Sequence, residues 1–162
     1  MTDYYQADPL HVFRFKVEFA DAQSGDAVPL CAGLFSEVTG LEATMEPKTI
    51  KEGGRNYGAG QRAGQVSFST VVLKRGITEA RHLWQWFDLV NVQGKYASRL
   101  AVTVTLLDGS GKPLLKWLLA SALPIKFKAP DLNATAGEVG IEELHLVHEG
   151  LSVARPQQGG QP

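Results

Sequence analysis

The stretch LKRGITEARHLWQWF (residues 73–87) is where a predicted strand gives way to a predicted helix. The residues just before it, VSFSTVV, alternate apolar and polar side chains as a half-buried strand does. Thr78 suits the N-cap of a helix, and Glu79 suits its first turn. Gly94 is a typical helix stop. The sequence therefore predicts a strand, a tight turn at Gly76, and a helix from about Thr78 to Val92.

The predicted helix is amphipathic. Apolar side chains recur at i, i+3, i+4 and i+7, whereas Gln85 and Asp88 fall on the opposite side. We expect the apolar face to pack against β structure. The predicted packing residues are Leu83, Trp84, Phe87 and Val90, with Ala80 on the same face.

Most of the remaining chain has the character of β structure. In HVFRFKVEF, for example, Phe15, Val17 and Phe19 share one face with Phe13, and charged residues occupy the other. One helix cannot cover both faces of a sheet. We therefore predict a mainly β fold, an antiparallel β-barrel or two packed sheets with one flanking helix. The other predicted pieces are strands at 34–38, 43–50 (with Pro47 marking an edge or bulge), 66–73, 100–107, 114–121 and 138–151, a hairpin turn at 108–113, and an extended crossing at 122–137.

The length of 162 residues and the ordinary hydrophobic content of 44% predict one globular domain. We expect an N-terminal arm at residues 1–11, a β-barrel domain at 12–151 and a disordered tail at 152–162, where the sequence is SVARPQQGGQP. The net charge of −1 gives no global signal for nucleic acid or an acidic membrane. No apolar run approaches a membrane span, and no secretory signal is visible. The single Cys31 excludes an internal disulfide framework and fits a reducing compartment, where it is expected to act as a small hydrophobic residue.

No catalytic or metal-binding pattern is present in the sequence. His145 and His148 are three residues apart on a predicted strand, so their side chains should point to opposite faces. Glu142 and Glu143 are adjacent, which argues in the same way against a carboxylate pair. HExxH, CxxC and GxSxG are all missing, and GAGQRAG lacks the GK[ST] ending of a phosphate-binding loop. We therefore predict that the chain is not an enzyme and has no cofactor and no metal site.

The segment KEGGRNYGAGQRAG (Lys51–Gly64) is rich in glycine and basic residues. It is either a solvated loop or a loop ordered by acidic groups of a neighbouring subunit. Nucleic-acid binding is disfavoured because Tyr57 is the single aromatic residue among the basic ones. The candidate subunit-interface residues are Lys51, Gly53, Gly54, Arg55, Tyr57, Arg62, Lys74 and Arg75, with Lys48 in the same basic cluster.

The order of several short motifs resembles a known family. FKVEF is followed by GLFSEVTGLE, EGGRNYG, LKRG, LWQWF, DGSGK, WLLASALPIKFKAPDLNA and IEELHLVHEGL. Each motif is weak by itself, but their order and spacing from Phe13 to Leu151 resemble the tail tube proteins of contractile phages and phage-tail-like contractile injection systems. These are similar to the haemolysin-coregulated protein of type VI secretion.

The resemblance implies a structural role. It implies an antiparallel β-barrel that forms six-membered rings, which stack into a hollow tube driven through a target envelope by a contractile sheath. The implied partners are copies of the chain itself, the sheath protein, a baseplate hub, spike or tube initiator, and possible cargo in the lumen, with neither nucleic-acid binding nor membrane insertion. It also implies assembly in the bacterial cytoplasm and membership of a phage tail or an injection particle that can be released. The helix would then face the sheath, Lys51–Gly64 would contact the next ring, and Lys74 and Arg75 would lie near a subunit or sheath boundary.

Two alternatives stay open at this point. The long loop at residues 20–33 and the extra tail suit a tube initiator on the baseplate as well as a main tube subunit. A different class of function is a monomeric β-barrel that binds a small apolar ligand, with Trp84, Trp86 and Trp117 near its mouth.

Overall fold

The computed structural model describes residues 9–12, 14–28, 35–51, 53–54, 57–135 and 137–156. Phe13, Cys31 and Leu34, for which the sequence suggested roles, lie outside these residues. The described chain is mainly β, as predicted. Its elements are β1 (Phe15–Asp21), β2 (Ala27–Val28), β3 (Glu37–Thr39), β4 (Ala43–Met45), β5 (Lys48–Ile50), β6 (Gly60–Arg62), β7 (Val66–Phe68), β8 (Val71–Gly76), α1 (His82–Phe87), a π-helical segment (Asp88–Val92), β9 (Leu100–Leu107), β10 (Pro113–Lys128), β11 (Ile141–Val147) and β12 (Gly150–Ala154).

The first sheet has the order β2-β1-β9-β10-β12, and all its pairs are antiparallel. The alternation predicted for β1 is confirmed, because Val17 and Phe19 are buried whereas Lys16 and Glu18 are exposed. Val17 lies opposite Val104 of β9 in the strand register, so the apolar residues of both strands line the same inner face. That face is one wall of the core.

The second sheet shares β10 with the first. The first half of β10 pairs with β9 and β12, and its second half pairs with β11. The pairing shifts register near Ser121, whose φ is +50°, and again between Pro124 and Lys126. These irregularities bend the strand, as bulges do. Residues 122–128 therefore continue one long strand, so the separate crossing predicted at 122–137 was wrong for this part.

The second sheet has the order β10-β11-β8-β3, again antiparallel throughout. Its inner face carries Leu73 and Leu144, which lie opposite each other and are fully buried. The two inner faces form one hydrophobic core with the helix. The predicted class of two packed antiparallel sheets with one helix is confirmed.

The helix begins later than the sequence predicted. Thr78 Oγ1 accepts a hydrogen bond from the Ala80 N–H at 3.2 Å, which closes a local turn, but α1 starts at His82. Arg81 occupies the N-cap position and makes no side-chain capping bond. The prediction of Thr78 as the N-cap was therefore wrong, because its hydroxyl is used one turn before the helix. The predicted end is confirmed, since Gly94 has φ +71° just beyond the π-helical segment.

The face of the helix that reaches deepest into the core includes a residue that sequence spacing missed. Leu83 and Val90 are buried as predicted, and Phe87 is half-buried. Trp86 is also buried and meets Phe19 edge-on at 5.8 Å. Trp84, expected on the core face, is 42% exposed and packs at the rim against Phe87 and Phe127.

The C-terminal boundary also differs from the prediction. β12 extends to Ala154 and pairs with Lys116–Ala120 of β10. The prediction of a disordered tail was wrong for Ser152–Ala154, because these residues pair with the backbone of β10 at an edge that would otherwise be unpaired. The predicted single last strand at 138–151 is split at His148 and Glu149, where the paired ribbon bends.

Candidate assembly surfaces

A long hairpin (residues 42–69) leaves the second sheet between β3 and β8. It consists of two short antiparallel ladders, β4 with β7 and β5 with β6. Every residue of these four strands is exposed or only partly buried. A two-stranded hairpin of this kind is marginally stable by itself in water. The rest of its own chain therefore buries little of this hairpin.

The base of the long hairpin is fixed by close backbone packing and one aromatic contact. Gly40 has φ +87°, and a Cβ there would collide with the backbone oxygen of Thr70, so only glycine fits. Phe68 packs on the His148 ring at a centroid distance of 5.1 Å. Because His148 sits where β11 passes into β12, the base of the hairpin rests on the bend of the two-sheet ribbon.

The structure places most of the predicted interface residues on the long hairpin. Tyr57 is 98% exposed near its tip. The described members there are exposed, and Arg55 lies outside the described residues. The prediction that Lys51–Gly64 is a loop was partly wrong, because Gly60–Arg62 forms a strand that pairs with Lys48–Ile50. The exposed members are Lys51, Gly53, Gly54, Tyr57 and Arg62.

Arg75 is not a surface residue, which corrects its assignment to an interface. It is 3% exposed and forms an ion pair with Glu142, which lies opposite it on β11. Its guanidinium also donates to the Ala80 carbonyl oxygen at 3.3 Å and lies 5.9 Å from the centre of the Phe35 ring. Arg75 thus ties the second sheet to the start of the helix. Lys74, the preceding residue, points to the outer face as expected for alternation.

The outer face of the second sheet carries a row of alternating charges. Strand register places Lys128, Glu143, Lys74 and Glu37 side by side on β10, β11, β8 and β3. Lys74 pairs with Glu37 at 3.2 Å. His145 donates to Glu143 at 3.1 Å, and this bond, together with nearby Lys128 and Lys74, lowers the pKa of the Glu143 carboxyl. Sequence alternation gave these residues a common face, but only strand order brings them into one row.

An apolar groove of about 300 Å³ opens between β3 and the start of β1. It is lined by Val12, Phe15, Val38, Leu41, Val104, Leu106 and Trp117, with Ser36 and Glu37 at the polar side. Trp117 is the only one of the three tryptophans that lines it. The cluster of Trp84, Trp86 and Trp117 expected for a small-ligand mouth is therefore not formed at this groove.

Within the described residues, no group of three or more His, Cys, Asp or Glu side chains is arranged to hold a metal ion. No helix in the described part of the chain is both long and apolar enough to cross a membrane. As the alternation predicted, Glu142 and Glu143 point to opposite faces of β11, with Glu142 in the core.

Comparison with known families decides the identity of this fold. The family model described as T4-like virus tail tube protein gp19 matches residues 11–152. The chain belongs to this tail tube family. The resemblance seen in the order of sequence motifs is thus confirmed. Comparison with curated protein sequences gives no match.

Solved structures similar to this tail tube family member come from contractile injection systems. A chain in a cryo-EM structure of the anti-feeding prophage baseplate, symmetrised six-fold, is 27% identical with a TM-score of 0.73. The match covers 92% of this chain and 97% of that one. A chain of the PVC sheath–tube complex in the extended state is 20% identical with a TM-score of 0.73, covering 96% and 95%. A chain of the anti-feeding prophage tube-terminating cap is 17% identical with a TM-score of 0.74, covering 96% and 100%.

These comparisons give this tail tube protein a structural role in a tube of the phage-tail or injection-system type. The family and its structural neighbours are structural proteins and not enzymes, in agreement with the sequence prediction. The fold is also similar to a type six secretion system protein, with a TM-score of 0.54 and 9% identity.

Proposed function

We propose that this chain is a subunit of the inner tube of a contractile phage tail or injection system, in which six copies form a ring and the rings stack. The observation that carries the proposal is the long hairpin, whose exposed ladders need a second surface. A stacked neighbour supplies that surface. The 27% identical chain belongs to a particle with six-fold symmetry, which supports the ring size.

The surrounding sheath is the second proposed partner. The PVC structure with the same fold is a sheath–tube complex in the extended state. In the proposed particle the sheath contracts and drives the tube through a target envelope. The helical rim with Trp84 is the part of the described surface that we assign to the sheath-facing side. Assembly takes place in the bacterial cytoplasm, before the particle is used or released.

The ring proposal is tested with the purified full-length chain. Sedimentation velocity and negative-stain electron microscopy at increasing protein concentration should show six-membered rings, and stacks of rings at the highest concentration. A strictly monomeric species over the whole range would contradict the ring. It would favour the alternative of a monomeric barrel that binds a small apolar ligand. That alternative would then be tested by measuring whether an environment-sensitive apolar dye binds the groove at Trp117.

The position within the particle is tested by copy number. A main tube subunit is repeated along the whole tube, whereas a tube initiator forms only the first ring on the baseplate hub. Quantitative mass spectrometry of purified particles, with the sheath protein as internal reference, separates the two. A number of copies close to that of the sheath indicates the main tube, and a single ring per particle indicates the initiator. Contents of the lumen would be detected in the same measurement.

A further inference from the structure

His148 is a buried histidine with one unpartnered ring nitrogen. It lies between β11 and β12 and is 9% exposed. Its Nδ1 lies 3.0 Å from the carbonyl oxygen of Gly150. Because a carbonyl oxygen only accepts hydrogen bonds, this contact assigns the ring proton to Nδ1. Nε2 of the neutral ring is then an acceptor, and no group in the described part of the chain bonds to it.

The site of His148 does not accommodate a second proton. Histidine is the side chain that ordinarily gains a proton between about pH 5 and 8. A proton on Nε2 would turn an unpartnered neutral acceptor into an unpartnered donor that carries charge, and burying such a group is more costly. Nδ1 offers no compensation, because it already donates to Gly150. Protonation therefore favours a conformation in which Nε2 reaches water.

The charged groups near His148 do not pair with it. β4, β7 and β12 contain no ionisable side chain, and neither do residues 118–125 of β10. Glu149, the next residue, pairs with Arg99 at 2.8 Å, and Glu42 at the start of the long hairpin is exposed. The charged groups of β8 and β11 are engaged in the pairs Lys74–Glu37, Arg75–Glu142 and His145–Glu143. Within the described residues, no carboxylate therefore balances a charge on the His148 ring.

The long hairpin is the part of the surroundings of His148 that can move at the lowest cost. Its Phe68 packs on the imidazole ring at a centroid distance of 5.1 Å. The strands on the other side belong to the core, where Val71, Leu144 and Leu146 are fully buried. The paired strands β4 and β7 of the hairpin contain no buried residue. Elements with few buried contacts open at the lowest free energy, so the hairpin base can leave the ring while the core stays folded.

We propose that His148 is a pH-sensitive contact that holds the base of the long hairpin when neutral and releases it when protonated. Phe68 is the hairpin residue that the neutral ring holds. The contact acts within one chain and does not depend on the proposed ring of six copies. In the proposed tube it would make the ring-to-ring contact of the hairpin weaker in acid.

The test is hydrogen–deuterium exchange of the full-length chain, followed by mass spectrometry at low protein concentration between about pH 7.5 and 5. Exchange rates are corrected at each pH for the intrinsic rate of an unfolded peptide. Amides of β4 and β7 should exchange about tenfold faster at the acid end, whereas those of β9 and β11 should keep their protection. Unchanged protection of β4 and β7 would overturn the proposal. So would a simultaneous loss of protection in all four strands, because acid would then unfold the whole chain.

A pair of matched histidine variants separates the contact from a general effect of acid. The amide of His148→Gln can donate to Gly150 but cannot gain a charge, so its hairpin protection should not change with pH. His145→Gln alters the histidine that pairs with Glu143 on the outer face and should keep the wild-type response. An acid response that persists in His148→Gln, or disappears in His145→Gln, would contradict the assignment. Circular dichroism at each pH reports whether the variants are folded.

A third variant tests the contact without changing the histidine. Phe68→Ala removes the ring that packs on His148 from a half-buried position of the hairpin, so the two-sheet core should remain folded. Amides of β4 and β7 should then exchange fast at both ends of the pH range. Full protection of these strands in Phe68→Ala at neutral pH would show that Phe68 does not hold the hairpin base.

Discussion

At the residue scale, the most consequential side chain is Arg75, whose neighbour Lys74 looks equivalent in the sequence. Alternation along β8 sends Lys74 outward and Arg75 into the core. There, Arg75 and Glu142 compensate each other's charge, and the Ala80 carbonyl oxygen accepts a further hydrogen bond. Such a pair is stable only while both partners are present, because a single buried charge is costly.

The buried pair gives a stability prediction. Glu142→Ala should lower the free energy of unfolding by about 3–5 kcal/mol, since it leaves the Arg75 charge buried without its partner. The control is Glu37→Ala, which removes the exposed partner of Lys74 and should cost about 1 kcal/mol or less. Urea unfolding followed by tryptophan fluorescence measures both. Equal losses in the two variants would contradict the assigned role of the buried pair.

The Glu143 carboxyl gives a prediction of pH dependence. Its pKa is lowered from a reference value of 4.5, chiefly by the hydrogen bond from His145. A lowered folded-state pKa stabilises the fold above the unfolded-state pKa, and this contribution disappears as the pH falls through the folded-state pKa. Glu143→Gln should therefore be less stable than the wild type at pH 6, and the two should converge as the pH falls below 4.5 and through the lowered folded-state pKa. Urea titrations across this pH range measure the difference. A constant difference would show that the charge of Glu143 is not involved.

At the element scale, the helix shows how a small change of geometry alters which residue is buried. Leu83, Trp86 and Val90 form the deep stripe, and Trp84 with Phe87 forms a second stripe at the rim. Both stripes are apolar and have helical spacing. Contacts with the two sheets select the stripe of Leu83, Trp86 and Val90 for the core, and helical spacing alone does not distinguish it from the rim stripe.

The two tryptophans on the helix are therefore expected to differ. Trp86→Ala should destabilise the chain by about 3–5 kcal/mol, because it opens a cavity beside Phe19. Trp84→Ala should cost clearly less, because its ring is partly solvated. Thermal and urea unfolding of the two variants at low concentration measures this difference. A larger loss for Trp84 would show that the rim stripe carries the packing.

The long hairpin is an element that contributes little to the core of its own chain, and this gives a prediction about assembly. Replacing Lys51–Gly64 by a short Gly/Ser linker should leave the two-sheet body folded and its lateral edges intact. Rings should still form, but they should not stack. Circular dichroism reports the fold, and electron microscopy compares the length of wild-type and variant tubes. Tubes of normal length in the variant would exclude this segment from the ring-to-ring contact.

At the scale of the whole molecule, the described chain exposes what an isolated domain normally covers. The outer edge of β3, an apolar groove and an extended hairpin are all uncovered by the described residues. Each is buried by a copy of the same chain in the proposed tube. The free energy of unfolding of the assembled protein therefore includes both the core of the single chain and the contacts between chains.

Stability should consequently depend on protein concentration. Association stabilises the folded state by mass action, by about 1.4 kcal/mol for each tenfold rise in free partner concentration above the dissociation constant. The melting temperature of the wild type should therefore rise with protein concentration. Differential scanning fluorimetry over a hundredfold range of concentration measures this rise. A constant wild-type melting temperature would argue for a self-sufficient monomer.

The sequence by itself determined the fold class and the family, because both are written in local patterns. Period-two alternation in β1, β8 and β9 fixes which residues face the core, and the order of short motifs identifies the tail tube family. The same alternation separated Glu142 from Glu143 correctly. These features can be predicted because they depend only on residues that are close together in the sequence.

The tertiary structure decided which strands lie next to each other, and everything that follows from that order. The burial of Arg75 depends on β11 lying beside β8, and the row from Lys128 to Glu37 depends on four strands in register. The pairing of Ser152–Ala154 depends on a free edge of β10. These contacts join residues far apart in the chain, so local periodicity carries no information about them, and only the closed packing of the two sheets sets their partners.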